Sequence, residues 1–126
     1  MEITPVAPTG VNLIRGYGKG GFRIGTGDHE PGSVIVFPGH RVQWQHPCVG
    51  EISTADLQPV IDAASDTDIL VFGCGPTFCS PPKILRDGLR DHGIVLEWMD
   101  TGAACRTFNV LLSESRQVAA ALIATD

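Results

Sequence analysis

The residues best suited to bind an anion lie in two short segments in the second half of the chain. One segment, 73–75, follows an apolar run, and the other, 100–107, opens a helical pattern. Glycine lets the backbone approach a ligand closely, and the first amides of a helix favour negative charge. The candidate residues for binding a carboxylate or phosphate are Gly73, Cys74, Gly75, Asp100, Thr101, Arg106 and Thr107.

A structural role for the same residues is the alternative interpretation. Asp100 is itself an anion and can occupy the helix amides. Arg106 can pair with Asp100 or with Glu114 one or two turns away. Thr107 and Asn109 can satisfy buried backbone groups. The sequence leaves both interpretations open.

The glycine-rich segment 16–21 matches the pattern G-x-G-x-x-G. A dinucleotide site needs a strand before this pattern and a helix after it, and here further turn residues follow. Lys19 is not followed by serine or threonine, so the segment is not a Walker A loop either. We therefore expect a β-hairpin whose glycines adopt positive φ.

Cysteines stand at 48, 74, 79 and 105, with gaps that match no zinc-finger or zinc-ribbon spacing. We predict reduced, mostly buried thiols, no metal and no cofactor. The alternative is a metal site or a redox pair. It would form if Cys74, Cys79 and Cys105 came together near the two candidate segments. No histidine is placed beside Cys74 by the sequence, so we name no catalytic residue and favour a protein that is not an enzyme.

Composition excludes several functional classes. The chain has 126 residues, 43% of them hydrophobic, and a net charge of −5. This balance is typical of a globular protein and argues against a basic nucleic-acid binder. The longest apolar run, seven residues from Val118 to Ala124, is too short to span a membrane. The first residues lack the features of a secretory signal, which predicts a cytoplasmic location if the chain is bacterial.

Residues 1–12 are expected to form a loosely docked arm, and residues 13–126 a single α/β domain. The first half predicts a β-meander, with strands at 13–17, 22–24, 34–37 and 41–45. Trp44 and Trp98 lie in strand patterns and are expected in the core.

Strands and helices alternate after residue 50, which predicts a parallel βαβ unit. The strands are expected at 69–72 and 94–99, with a first helix capped by Asp56 and a second beginning at residues 80–82. Ile84 is expected to face inward and Gly93 to end the second helix. The loops at 73–80 and 100–103 then meet at one edge of the sheet, where open α/β sheets bind ligands.

The segment 99–119, MDTxAACRTFNxLLxExRxVA, closely resembles the signature of a small α/β domain family of unassigned biochemical function. Ile14-x-Gly16-Tyr17-Gly18, Gly32-Ser33-Val34, Trp44 and Gly73-x-Gly75 fit as well. The resemblance implies a three-layer α/β fold: a mixed central sheet, extra β-strands packed on it, and a final strand, antiparallel to the others, after Arg116. The family has no established catalytic residues, and a small hydroxyl residue stands in its members where this chain has Cys74.

Eukaryotic members of that family include a mitochondrial assembly factor of respiratory complex I. The resemblance therefore implies a non-enzymatic protein-binding or assembly module, with respiratory complex subunits or assembly machinery as partners. The alternative is a small-anion binder or enzyme that uses Gly73, Thr101 and Arg106, and a purely structural role is a third possibility. We expect no nucleic-acid binding and no membrane insertion; the oligomeric state stays open.

Overall fold

The computed structural model describes residues 11–126, so most of the predicted arm lies outside the described residues. The strands are β1 (Ile14–Gly18), β2 (Gly21–Ile24), β3 (His29–Pro31), β4 (Val34–Val36), β5 (Arg41–Gln43), β6 (Ile69–Gly73), β7 (Val95–Met99) and β8 (Val118–Leu122). The α-helices are α1 (Gln58–Asp62), α2 (Leu85–Arg90) and α3 (Thr101–Ser113).

Five of these strands form a mixed central sheet in the order β5-β4-β8-β6-β7. β6 runs parallel to β7, as the alternation of strands and helices predicts, and the mixed α/β fold is confirmed. The last strand is present where the resemblance implied it, but its expected direction is only partly right. β8 is antiparallel to β4 and parallel to β6. The reason is that α3 carries the chain from the end of β7 back to the start of β8, so both strands run in one direction.

The first half of the chain divides between two sheets. β1, β2 and β3 form a small antiparallel sheet, whereas β4 and β5 join the central sheet as a hairpin. The expectation of one meander over residues 13–45 is therefore wrong for its second part, and β3 was not predicted. β3 is three residues of mixed polarity, HEP, which carry no alternating pattern.

An ion pair joins the two sheets. Arg41 Nε donates to both carboxylate oxygens of Glu30, at 3.0 and 2.9 Å, and Arg41 Nη2 also contacts Glu30. The hydrogen bond from Arg41 holds the pKa of Glu30 below its usual value. A lowered folded-state pKa means that this pair stabilises the fold above the unfolded-state pKa of glutamate. The contribution is lost as the pH falls through the folded-state value, and it is small because both side chains are about one-third exposed.

Two apolar clusters cover the two faces of the central sheet and make three layers. On one face α1 and α2 pack around Phe72 and both tryptophans, which are buried as expected. Phe72 stacks on Trp98, with ring centroids 4.3 Å apart, and meets Trp44 edge-on at 5.6 Å. On the other face α3 and the small sheet pack around Val71 and Phe108.

The first two helices are shorter than the sequence predicts. Ser53, not Asp56, is the N-cap, and Asp56 is the third residue of the capping box that opens a 3₁₀ turn before α1. α2 begins at Leu85 rather than at residues 80–82, so Ile84 precedes the helix and is 75% exposed instead of facing inward. Gly93, with φ of +78°, follows α2 as expected.

None of the helices in residues 11–126 combines the length and apolar character needed to cross a membrane.

Candidate functional site

The ends of β6, β7 and β8 meet the first turn of α3 at one edge of the central sheet. Cys74 N donates to Met99 O at 2.8 Å, and Ile123 N donates to Gly73 O at 3.0 Å. The expected meeting of segments 73–75 and 100–103 is therefore present. We call residues 73–75, 99–104 and 123 the strand-end junction.

Asp100 is the N-cap of α3. Its Oδ1 accepts from Ala103 N at 2.9 Å. Thr101 is the first helical residue. The carboxylate of Asp100 therefore accepts a hydrogen bond from one of the helix amides that could have bound an external anion. This outcome agrees with the structural interpretation of these residues.

Thr101 joins three segments through its hydroxyl group. Thr101 Oγ1 accepts from Gly75 N at 3.0 Å and donates to Ile123 O at 2.7 Å. Thr101 N donates to Gly75 O at 2.8 Å, and the residue is fully buried. Its side chain therefore satisfies backbone groups of the junction.

Gly73 is needed because α3 crosses close to the end of β6. A Cβ atom at residue 73 would lie 2.9 Å from Thr101 Cα, 3.1 Å from Ala104 Cβ and 3.1 Å from Leu122 Cδ2. The nearest of these atoms belongs to backbone and cannot rotate away. The glycine here serves helix–sheet packing.

We expect Gly73→Ala to lower the free energy of unfolding by about 2 kcal/mol, because the added methyl group overpacks the junction. Gly39→Ala is the matched control, since a Cβ atom there meets nothing within 4 Å. Urea denaturation followed by tryptophan fluorescence measures both variants. Equal stability of the two variants would contradict this role of Gly73.

Tyr17 covers the first turn of α3, a contact that the sequence analysis missed. A Cβ atom at Gly102 would lie 2.5 Å from the Tyr17 hydroxyl oxygen and 2.9 Å from its Cζ atom. Tyr17 belongs to β1, 85 residues before Gly102. No local pattern links positions so far apart, although Tyr17 stands in the glycine-rich motif.

Arg106 and Thr107 lie farther along α3 and do not share one role. Thr107 Oγ1 lies 3.3 Å from Met99 Sδ, so this side chain faces β7. Arg106 is exposed, and within residues 11–126 it forms neither of the expected ion pairs, with Asp100 or with Glu114. Ligand binding by the seven candidate residues stays a prediction.

Asn109 fixes α3 to the small sheet. Its Oδ1 accepts from Ile14 N at 2.9 Å, and its Nδ2 donates to Ile14 O at 2.8 Å. Both bonds are buried. The expectation that Asn109 satisfies buried backbone groups is confirmed.

Only two of the three cysteines in question come together. Cys79 N lies 3.4 Å from Cys74 Sγ, whereas Cys105 lies in the cluster on the opposite face of the sheet. Burial raises the pKa of Cys105 to about 12, and burial followed by the hydrogen bond with Cys74 raises the pKa of Cys79. Thiols with raised pKa stay protonated at neutral pH and are weak nucleophiles. In the described part of the chain no three Cys, His, Asp or Glu side chains are grouped to hold a metal.

Residues 14–123 match the model of a family described as protein of unknown function (DUF498/DUF598). The chain belongs to this family. An uncharacterized protein of Rhodobacter capsulatus is 37% identical over 110 residues, which cover 87% of this chain and 82% of that protein. A crystal structure described as an outer membrane protein from Bartonella henselae matches with a TM-score of 0.83 and 35% identity, over 93% of this chain and 98% of that one.

A relative with a more informative name comes from Xenopus tropicalis. It is called NADH dehydrogenase [ubiquinone] 1 alpha subcomplex assembly factor 3 and is 37% identical over 112 residues. The match covers 88% of this chain and 60% of the frog protein, so the chain spans under two-thirds of that relative's length. The family thus has members in bacteria and in animals.

Proposed function

We propose that this chain is a non-enzymatic assembly module that binds a protein subunit of the respiratory NADH dehydrogenase. The observation that carries the proposal is the 37% identity to an animal assembly factor for that enzyme, over 88% of this chain. A cytoplasmic location in a bacterial cell is part of the proposal.

The polar groups of the strand-end junction are used in internal hydrogen bonds, which argues against catalysis there. Thr101, the polar side chain at its centre, is buried and bonded to the backbone of Gly75 and Ile123. Asp100 bonds to the backbone of Ala103. Groups used in this way are not available to a substrate without breaking the contacts that join α3 to the sheet.

The connection between β6 and α2 offers the surface that we assign to the partner. Phe78 is 63% exposed and Ile84 is 75% exposed, and both belong to this one connection. Exposed apolar side chains that lie in one surface segment can form a protein interface, where their burial contributes affinity. We therefore propose that an apolar segment of the dehydrogenase subunit packs against Phe78 and Ile84.

The test is an affinity capture from detergent extract of membranes of the source cells, with mass spectrometry of the bound proteins. We expect subunits of NADH dehydrogenase to be enriched on the unmodified protein. Enrichment should fall at least about fivefold for Phe78→Ser/Ile84→Ser, since losing two apolar contacts of an interface costs more than 1 kcal/mol.

Val110→Ser is the matched control, because Val110 is 55% exposed on α3, outside the connection. Enrichment that falls equally in both variants would overturn the assignment of the surface. Absence of dehydrogenase subunits from the unmodified protein would overturn the proposed function itself.

The alternative function is a small-anion binder or enzyme at Gly73, Thr101 and Arg106. For an anion to bind there, it must compete with Asp100 for the amide of Ala103. Titration with inorganic phosphate, followed by NMR, tests it. Saturable shifts of the amides at Thr101 and Ala103 that weaken in Arg106→Ala would support this alternative, and shifts absent from both amides would contradict it.

A further inference from the structure

A cleft lies beside the glycine-rich hairpin. Its volume is about 350 Å³, and its walls include Tyr17 and the backbone of its two neighbouring glycines. Four charged or titratable residues complete the lining: Lys19, Arg23, His29 and Asp126. This volume lies within the range of small-ligand sites.

The turn between β1 and β2 holds a lysine in an unfavourable backbone conformation. Lys19 has φ of +53° and Gly20 has φ of +74°, the two positive values of a two-residue hairpin turn. Glycine and asparagine adopt this conformation more easily than lysine does. Turn geometry therefore does not account for the choice of lysine at this position.

The cleft gathers basic side chains in a protein that is acidic overall. The chain carries a net charge of −5, yet two of its nine basic residues, Lys19 and Arg23, line this cleft together with His29. Because a carbonyl oxygen only accepts, the contact of 3.0 Å between His29 and Gly18 O has the ring Nε2 as its donor. That bond fixes the ring at the wall.

One acidic residue is held against these basic groups. Gly20 N donates to Thr125 O, and this bond places Asp126 at the cleft. A carboxylate of the chain itself thus already stands among the basic side chains. The cleft suits a carboxylate or a phosphate, and Asp126 is the group that competes with it.

We propose that this cleft binds a small anion, a carboxylate or a phosphate, through the ammonium group of Lys19. Its lining includes no residue of the strand-end junction and neither Phe78 nor Ile84, although Tyr17 in its wall also lies against Gly102. The negative charge of Asp126 weakens binding and thereby sets the affinity.

NMR titration of the full chain tests the proposal, with inorganic phosphate and succinate as separate probes and sodium chloride at equal ionic strength as the reference. We expect saturable shifts of the amides at Gly18 and Gly20 with at least one of the two probes, and not with chloride. The probe that binds more tightly identifies the ligand class.

Four proteins are compared in the titration. Lys19→Asn should weaken binding about threefold to fivefold, which is the upper range for a solvent-exposed ion pair. Asp126→Asn should tighten binding about twofold by removing a repulsive charge. Lys83→Gln, which changes the other lysine of the chain, should bind like the unmodified protein.

Thermal unfolding separates binding from folding, because asparagine suits the turn and Lys19→Asn should keep or raise the melting temperature. Weaker binding by this stable variant, together with tighter binding by Asp126→Asn, would establish the site. Absence of saturable shifts, or equal affinity of Lys19→Asn and Lys83→Gln, would overturn the proposal.

Discussion

Replacing Asn109 by leucine is expected to lower the free energy of unfolding by about 4 kcal/mol. The side chain exchanges two buried hydrogen bonds with the backbone of Ile14. Leucine has a similar volume but leaves a buried N–H and a buried C=O without partners, and each such group costs about 1–3 kcal/mol. Urea denaturation measured by tryptophan fluorescence gives the change.

The matched control is Asn12→Ala. Asn12 Nδ2 donates one partly buried bond, 3.2 Å long, to Phe37 O. Its loss is expected to cost about 1 kcal/mol, since water can replace the side chain. If Asn109→Leu is no more destabilising than Asn12→Ala, Asn109 does not hold α3 to the small sheet.

Thr101→Val is expected to lower the free energy of unfolding by about 3 kcal/mol. Valine fills the same volume, so the change isolates the hydroxyl group. Its loss leaves the buried Gly75 N and the partly buried Ile123 O without their bonds beside a fully buried side chain. Hydrogen exchange at the amide of Gly75 should also become faster, because that amide loses its acceptor.

Thr107→Val makes the same chemical change two turns further along α3. Among the residues that the structure describes, the hydrogen-bond partner of Thr107 Oγ1 is the thioether sulfur of Met99, a weak acceptor, so we expect a cost of under about 1 kcal/mol. A similar loss of stability in both threonine variants would show that the hydroxyl of Thr101 has no special role in the junction.

Side-chain periodicity predicted the strands at 69–72 and 94–99, because alternation and apolar runs are local properties of the chain. The strand after Arg116 came from the family resemblance, since its alanine-rich run suits a helix equally well. β3 escaped prediction because its three residues have no such pattern. The direction of β8 relative to each neighbour depends on which strands lie beside it, and those neighbours are up to 88 residues away in sequence.

For the candidate site, too, part of the arrangement could be predicted from the sequence and part could not. The sequence alone predicted that segments 73–75 and 100–103 meet, because parallel strands end at one edge of their sheet. It did not decide whether Asp100 and Thr101 face a ligand or the backbone. Both residue types can do either, and the choice depends on the distances to Ala103, Gly75 and Ile123.

By itself the sequence determined the βαβ core, the burial of both tryptophans and the hairpin at residues 16–21, all of which follow from local spacing and turn chemistry. The tertiary structure decided which hydrogen-bonding groups are used internally. It also decided that Lys19, near the start of the chain, shares one cleft with Asp126. Such pairings are set by the packing of segments that are far apart in sequence. The order of residues along the chain does not specify the distances between those segments.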